Sequence, residues 1–310
     1  MNTVIRLALY GAGLVLVFGA MFFAGRALVP EETVATWTRE AEESSGEHGE
    51  MAMPDQAAGA GHVRGLGVEQ DGYRLSPVKA PSAAGQTGEL SFLVIGPDGE
   101  PFRDFAVNHE KELHLIVVRS DGAGFEHVHP RMDPGTGIWS TPWQWSRGGT
   151  YRVFTDFVPE GGGDQPAVTL SRSVEVAGDF APADKPLART DSVDGFDLSI
   201  AGDLVAGESR SLTVTITRNG KPETHLQPYL GAFGHLVALR EGDLAYLHVH
   251  AEGGQASQDG EEESHAHQEA TAGPDIEFVS EAPTPGRYLL YLDFKVDGQV
   301  HTAEFVMEAK

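Results

Sequence analysis

Two stretches decide how this chain folds: HLIVVRSDGAGFEHVHP, residues 114–130, and HLVALREGDLAYLHVHA, residues 235–251. Each opens on a His, runs through branched and apolar residues, breaks at an Asp/Gly turn, and returns as aromatic-x-His-Val-His. Strand-forming residues bounded by turn residues read as a β-hairpin. In the first stretch Asp121-Gly122 is a favoured type I′ pair. Centring the turn there sets His114 opposite His129, Ile116 opposite His127 and Val118 opposite Phe125. In the second, centring on Gly242-Asp243 sets His235 opposite His250, Val237 opposite His248 and Leu239 opposite Tyr246. Two turns read separately give one arrangement.

The likeness extends outward in both directions. ELSFLVIGPDGEP from Glu89 matches RSLTVTITRNGKP from Arg210, GYRLS from Gly72 matches GFDLS from Gly195, and GGTYRVFTDF from Gly148 matches PGRYLLYLDF from Pro285. A unit written twice is the main organising signal. Each copy holds about seven short alternating runs separated by turns, the pattern of an antiparallel sandwich. The expected fold is all-β: two tandem antiparallel β-sandwich domains, immunoglobulin- or cupredoxin-like, after one N-terminal transmembrane helix. Repeat 1 spans 65–178, a Pro-containing linker 179–192, and repeat 2 spans 193–310. The extra residues of repeat 2 fall in an acidic insertion, 251–275, which carries His265 and His267. Tyr151 and Tyr288 each open a strong strand, a placement similar to the tyrosine corner of immunoglobulin-like sandwiches.

Residues 1–26 differ from the rest. Leu7–Gly25 is apolar, uncharged and flanked by Arg6 and Arg26. That is close to the ~20 residues a spanning helix needs and longer than a cleaved signal core. It reads as a signal anchor that holds the chain to a membrane, with the bulk of the chain extracytoplasmic. Residues 27–64 read as a disordered acidic tether. There His48 lies near Met51 and Met53, a weak thioether set for copper. Tether and insertion together account for more than half of the net charge of −24. So acidic a chain excludes a partner gripped mainly through phosphates, nucleic acid included. Without Cys there are no disulfides, thiolate metal sites or iron–sulfur clusters.

Thirteen His carry the functional question. His127 and His129, two apart, share a strand face, and a directly opposed His114 shares it too. The same holds for His235, His248 and His250. Ile116, Val118 and Phe125 accompany the imidazoles, so this face is expected to turn toward the core of its own sandwich. Imidazoles grouped in low dielectric resist protonation, and neutral imidazole is what a metal ion takes. The expected metal ligands are His114, His127 and His129 in one repeat and His235, His248 and His250 in the other, with Zn or Cu as the ion. Asp156 and Asp293, five residues after the matched Tyr, are candidates to ligate or to hold an imidazole. Strand parity turns them away from the side to which the Tyr points. The same trios also read as ordinary core histidines or as a pH-sensitive patch.

The hairpin motifs resemble a group of bacterial membrane-anchored exported proteins with tandem H-L-hydrophobic run, turn, aromatic-x-H-V-H segments, often described as secreted or heavy-metal-binding. The resemblance covers most of residues 70–310 and implies export and a sandwich fold; an exported metal-handling protein is an expected partner. The likeness to cupredoxins is architectural, since the Cys and Met ligands are missing. No nucleophile, phosphate or dinucleotide motif is present, so the expectation is no enzyme but a membrane-tethered copper- or zinc-binding protein for storage, delivery or resistance. The alternative is a β-sandwich interaction module without metal.

Overall fold

The computed structural model describes residues 63–160, 167–247, 249–252 and 273–310. The apolar run Leu7–Gly25, the tether up to residue 62, most of the acidic insertion and His248 lie outside the described residues, while Arg64, expected in the tether, forms a bridge to Tyr246. No helix among the described residues is long and apolar enough to cross a membrane.

Every sheet is antiparallel, and the fold is all-β with sandwich-like sheets. In repeat 1, β3 (Thr87–Phe92), β9 (Trp139–Gln144) and β8 (Arg131–Met132) form one sheet in the order β3-β9-β8. The second has the order β11-β10-β6-β7, from β6 (His114–Arg119), β7 (Glu126–Val128), β10 (Gly149–Pro159) and β11 (Val168–Val176). β5 (Phe105–Ala106) pairs the end of β10. A small sheet of β1 (Glu69–Gln70), β2 (Tyr73–Leu75) and β4 (Val94–Ile95) lies alongside in sequence. In repeat 2 one sheet has the order β12-β13-β14-β19-β18, from β12 (Thr190–Val193), β13 (Phe196–Ala201), β14 (Ser209–Arg218), β18 (Val249–Glu252) and β19 (Asp275–Glu281). β15 (Lys221–Pro222) pairs β14. Its other sheet is β17-β16-β20-β21, from β16 (Gly234–Arg240), β17 (Tyr246–Leu247), β20 (Gly286–Val296) and β21 (Gln299–Ala309).

Both hairpins pair in the expected register next to their turns, but the outer pairs His114–His129 and His235–His250 are not formed. Ile116 pairs with His127 and Val117 with Glu126, while Leu239 pairs with Tyr246 and Ala238 with Leu247. The turn type differs from the expected one. Type I′ needs positive φ at both central residues, and of Asp121 and Gly122 only the Gly has it, at 81°. In both repeats the returning strand then changes sheet: β8 pairs β9, and β18 pairs β19, placing the backbone of His250 opposite Val279.

The largest departure from the sequence reading concerns the face on which the His sit. Leu115 and Val117 point into the core of repeat 1, among Leu90, Trp139 and Val153. Ile116 and Val118, on the His face, point the other way. They form a separate core with Phe154 and with Val237, Leu239, Leu289 and Tyr291 of repeat 2. The His face is therefore not the core side of its own sandwich but the seam between the repeats. This explains why all six residues of β6 are buried. A strand covered on both faces reads as a continuous apolar run, and Leu115–Val118 is one. Phe125 stacks on Tyr291 with centroids 4.1 Å apart and planes 4° apart, and Tyr291 Oη donates to the Gly122 carbonyl at 2.6 Å.

The linker is pinned to both sides. Arg119 clasps Asp121 through two hydrogen bonds, donates to the Ala181 carbonyl, and lies over the Phe180 ring. Ala188 forms a bridge to Val306. The expected tyrosine corners are present: Tyr151 Oη donates to the Arg147 carbonyl at 3.0 Å and Tyr288 Oη to that of Thr284 at 2.9 Å, four residues upstream in each case.

Candidate metal centre

The centre is built where β6 and β7 of repeat 1 meet β20 of repeat 2. His114 opens β6, His127 sits in β7, and His129 follows where the strand leaves that sheet. One nitrogen from each ring converges, all three lying within 4.8 Å of one another. His114 Nδ1 is 3.1 Å from His127 Nε2 and 3.2 Å from His129 Nε2. Two imidazoles on one tetrahedral ion, with bonds of about 2.0–2.1 Å, bring their nitrogens to a similar separation, about 3.3 Å.

The opposite edges of two rings fix their tautomers. His114 Nε2 is 3.1 Å from the Asn108 carbonyl, which can only accept, so Nε2 carries the proton and Nδ1 a lone pair. His127 Nδ1 is 2.8 Å from Asp293 Oδ2, so Nδ1 donates, and in the neutral ring Nε2 then carries the lone pair. Both side chains of that pair are 4% exposed. Asp293 is oriented in turn by Thr302, whose hydroxyl donates to Oδ1 at 2.6 Å. A carboxylate behind a ring nitrogen is the usual support of a metal-bound imidazole. Here it comes from the other repeat.

With both rings neutral, two lone pairs face each other across 3.1 Å. His129 can satisfy one by donating a proton, and a metal ion between them would satisfy both. Burial first, then charge on His127, pushes His114 down to about 2. Burial, His127 and Lys111 push His129 down to about 3. His114 and His129 are therefore held neutral at physiological pH and open to a metal ion.

The remaining expected residues are placed as follows. His235 donates from Nε2 to the Tyr229 carbonyl at 2.7 Å, the counterpart of the bond from His114 to Asn108. It is pushed down to about 4, by burial above all and by His109 and His127 among other charges. It thus lies beside the repeat 1 trio. His248 is outside the described residues, and for His250 only the backbone is described. Asp156 occupies the position in β10 that Asp293 has in β20: they pair with His114 and His235 respectively. The Asp156 carboxyl accepts from Thr169 Oγ1 at 2.7 Å, matching Thr302 on Asp293. Burial raises its pKa. The hairpin pattern did not point to Asn108, Tyr229 or His109. The first two act through backbone carbonyls, which carry no residue signature. His109 corresponds to Leu230 in the second copy and so drops out of the repeat.

A pH dependence follows for the metal-free protein. In the unfolded chain these imidazoles take up protons near their ordinary 6.5. In the folded one His114, His129 and His235 stay neutral to much lower pH. The unfolded state thus binds more protons below 6.5, so stability is full above that pH and falls as pH falls toward about 4. The expected slope is up to about 1.4 kcal/mol per pH unit for each imidazole. Urea midpoints at pH 7.5, 6 and 5 measure it. A midpoint that stays flat or rises over that range contradicts burial of neutral rings.

One family model matches twice, over residues 68–175 and 191–310, so that both repeats are covered and together make up most of the chain. The chain belongs to the DUF8832 family. The family is described as a domain of unknown function. No curated protein matches the chain. Among solved structures it is similar to Salmonella alpha-2-macroglobulin reacted with methylamine, at 16% identity over 81% of this chain and 15% of that one, TM-score 0.24. It is also similar to invasin, a bacterial integrin-binding protein, at 12% identity over 77% of this chain and 39% of that one, TM-score 0.21. A marsupial T cell receptor matches at 9% identity over 77% of this chain and 63% of that one, TM-score 0.24. The chain thus spans well under half the length of the first two, and at these scores none of the three bears on function.

Proposed function

We propose that this DUF8832 protein is an exported, membrane-tethered binder of a late transition-metal ion, copper or zinc, for storage, delivery or resistance. His114, His127 and His129 are its ligands, and Asp293 holds His127. The observation that carries this reading is the convergence of His114 Nδ1, His127 Nε2 and His129 Nε2, the first two 3.1 Å apart with the far edge of each ring held by a partner. The all-imidazole donor set suits Zn(II) or Cu(II) and disfavours Mg(II) and Ca(II), which take oxygen. Three protein ligands leave a fourth position for a transferred or exchanging group, as a carrier needs. The Leu7–Gly25 anchor and an acidic tether would hold two immunoglobulin-like sandwich repeats outside the cytoplasm, within reach of a metal-handling partner protein.

Calorimetric titration of the chelator-stripped chain with Cu(II) and with Zn(II) tests the reading. The expected result is saturable binding with little proton release from His114 and His129, which burial already holds neutral. Heats indistinguishable from dilution for both ions would leave the interaction-module alternative standing.

A further inference from the structure

His109 lies between β5 and β6, next to the Asn108 carbonyl that holds His114. Its backbone is left-handed, φ 48°. Glu110 beside it, at φ 63°, and the counterpart Leu230, at φ 56°, are left-handed as well, so the conformation belongs to the tight turn between Asn108 and Lys111. The conformation accompanies a ring placed 5.2 Å from that of His235 in repeat 2, at 82°, and 6.2 Å from that of His114.

The trio supplies a ruler. Its three ring pairs have centroids 5.3, 5.0 and 4.9 Å apart, with planes at 38°, 83° and 60°. The His109–His235 pair falls inside that distance range, and its angle matches that of His114–His129. His235 has its Nε2 proton committed to the Tyr229 carbonyl, so its Nδ1 keeps a lone pair, as in His114. Asp293, which carries the nearby carboxylate, interacts electrostatically with His235.

We propose that His109 and His235 hold a second late transition-metal ion across the seam between the repeats, beside the first, with solvent completing its coordination. This goes beyond the single three-histidine site and uses none of its ligands. It also differs from the set of His235, His248 and His250 expected from the hairpin, because His235 is joined to a residue of the other repeat. Each ion adds positive charge to a seam that contains Asp293.

The test compares Cu(II) bound at saturation by the full chain and by His109→Asn, His235→Gln and His114→Ala. Asn adopts the left-handed backbone readily, and the Gln amide can donate to Tyr229 as the ring does. His109→Asn and His235→Gln are each expected to lose one equivalent relative to the parent, the same one, while retaining the equivalent that His114→Ala loses. In the parent, paramagnetic resonance should show dipolar broadening from neighbouring Cu(II) ions, collapsing to an isolated-ion spectrum in His109→Asn. The proposal is overturned if His109→Asn, or His109→Gly should the Asn chain misfold, binds as many equivalents as the parent. It is equally overturned if His235→Gln loses an equivalent that His109→Asn keeps, or if no broadening accompanies full loading. Retention of every equivalent by His114→Ala strikes the first site and leaves this one intact.

Discussion

His127→Ala lowers metal affinity on the order of a hundred- to a thousand-fold, and His114→Ala and His129→Ala do the same. A structural metal site of about four ligands is worth roughly 10–16 kcal/mol, so one ligand carries about 3–4 kcal/mol. Asp293→Asn is the sharper variant. The amide keeps the shape and the Thr302 contact, but turns an NH2 instead of a carboxylate oxygen toward His127 Nδ1, removing both the acceptor and the negative charge. Its expected cost is about ten- to a hundred-fold, the usual effect of removing such a partner. Because Asp293 belongs to repeat 2 and the ligands to repeat 1, this loss would tie affinity to the seam. His225→Ala is the control: that ring is 79% exposed and meets only Glu223 among its described partners, so affinity should not move. Calorimetry with circular dichroism on each variant separates lost binding from lost folding. Equal affinity for His127→Ala and the parent would remove the trio as the site.

Tyr291→Ala destabilises the protein by about 3–5 kcal/mol, the range for a buried aromatic truncated in a packed core. Tyr291 is 1% exposed, and its stacking partner Phe125 and the Gly122 carbonyl it donates to both belong to the other repeat. Tyr291→Phe keeps the stack and loses the hydrogen bond, for about 1 kcal/mol. Gly122→Ala attacks the seam from the opposite side. Its φ of +81° disfavours a side chain, and a Cβ would lie 2.5 Å from Leu289 Cδ1 of repeat 2. Urea unfolding should be a single transition in the parent and broaden or split in Tyr291→Ala, as the repeats begin to unfold separately. Two independent beads on a linker would show two transitions in the parent and little cost for any of these changes.

Much of this was legible in the sequence because hairpins are local. Turn position and strand period set His114, Ile116 and Val118 on one face and His127 opposite Ile116, and the structure has that register. The tyrosine corners follow from Tyr151 and Tyr288 opening their strands. Parity was also informative about the aspartates. Tyr151 and Tyr288 point into their own cores, so Asp156 and Asp293 point away. The sequence left open what lies on that far side, and for Asp293 it is His127 rather than water.

By itself the chain determines what one strand and its neighbour can determine: an all-β class, a unit written twice, a register, and three imidazoles on one face. Those depend on steric and pairing rules that act over a few residues. The tertiary structure decided which way that face looks. Hydrophobic burial has no direction along the chain, so Ile116 and Val118 could be covered by their own sandwich or by another surface. Packing against Val237, Leu239 and Tyr291 settled it and brought Asp293 to His127 and His109 to His235, residues far apart in the chain whose proximity no local rule contains.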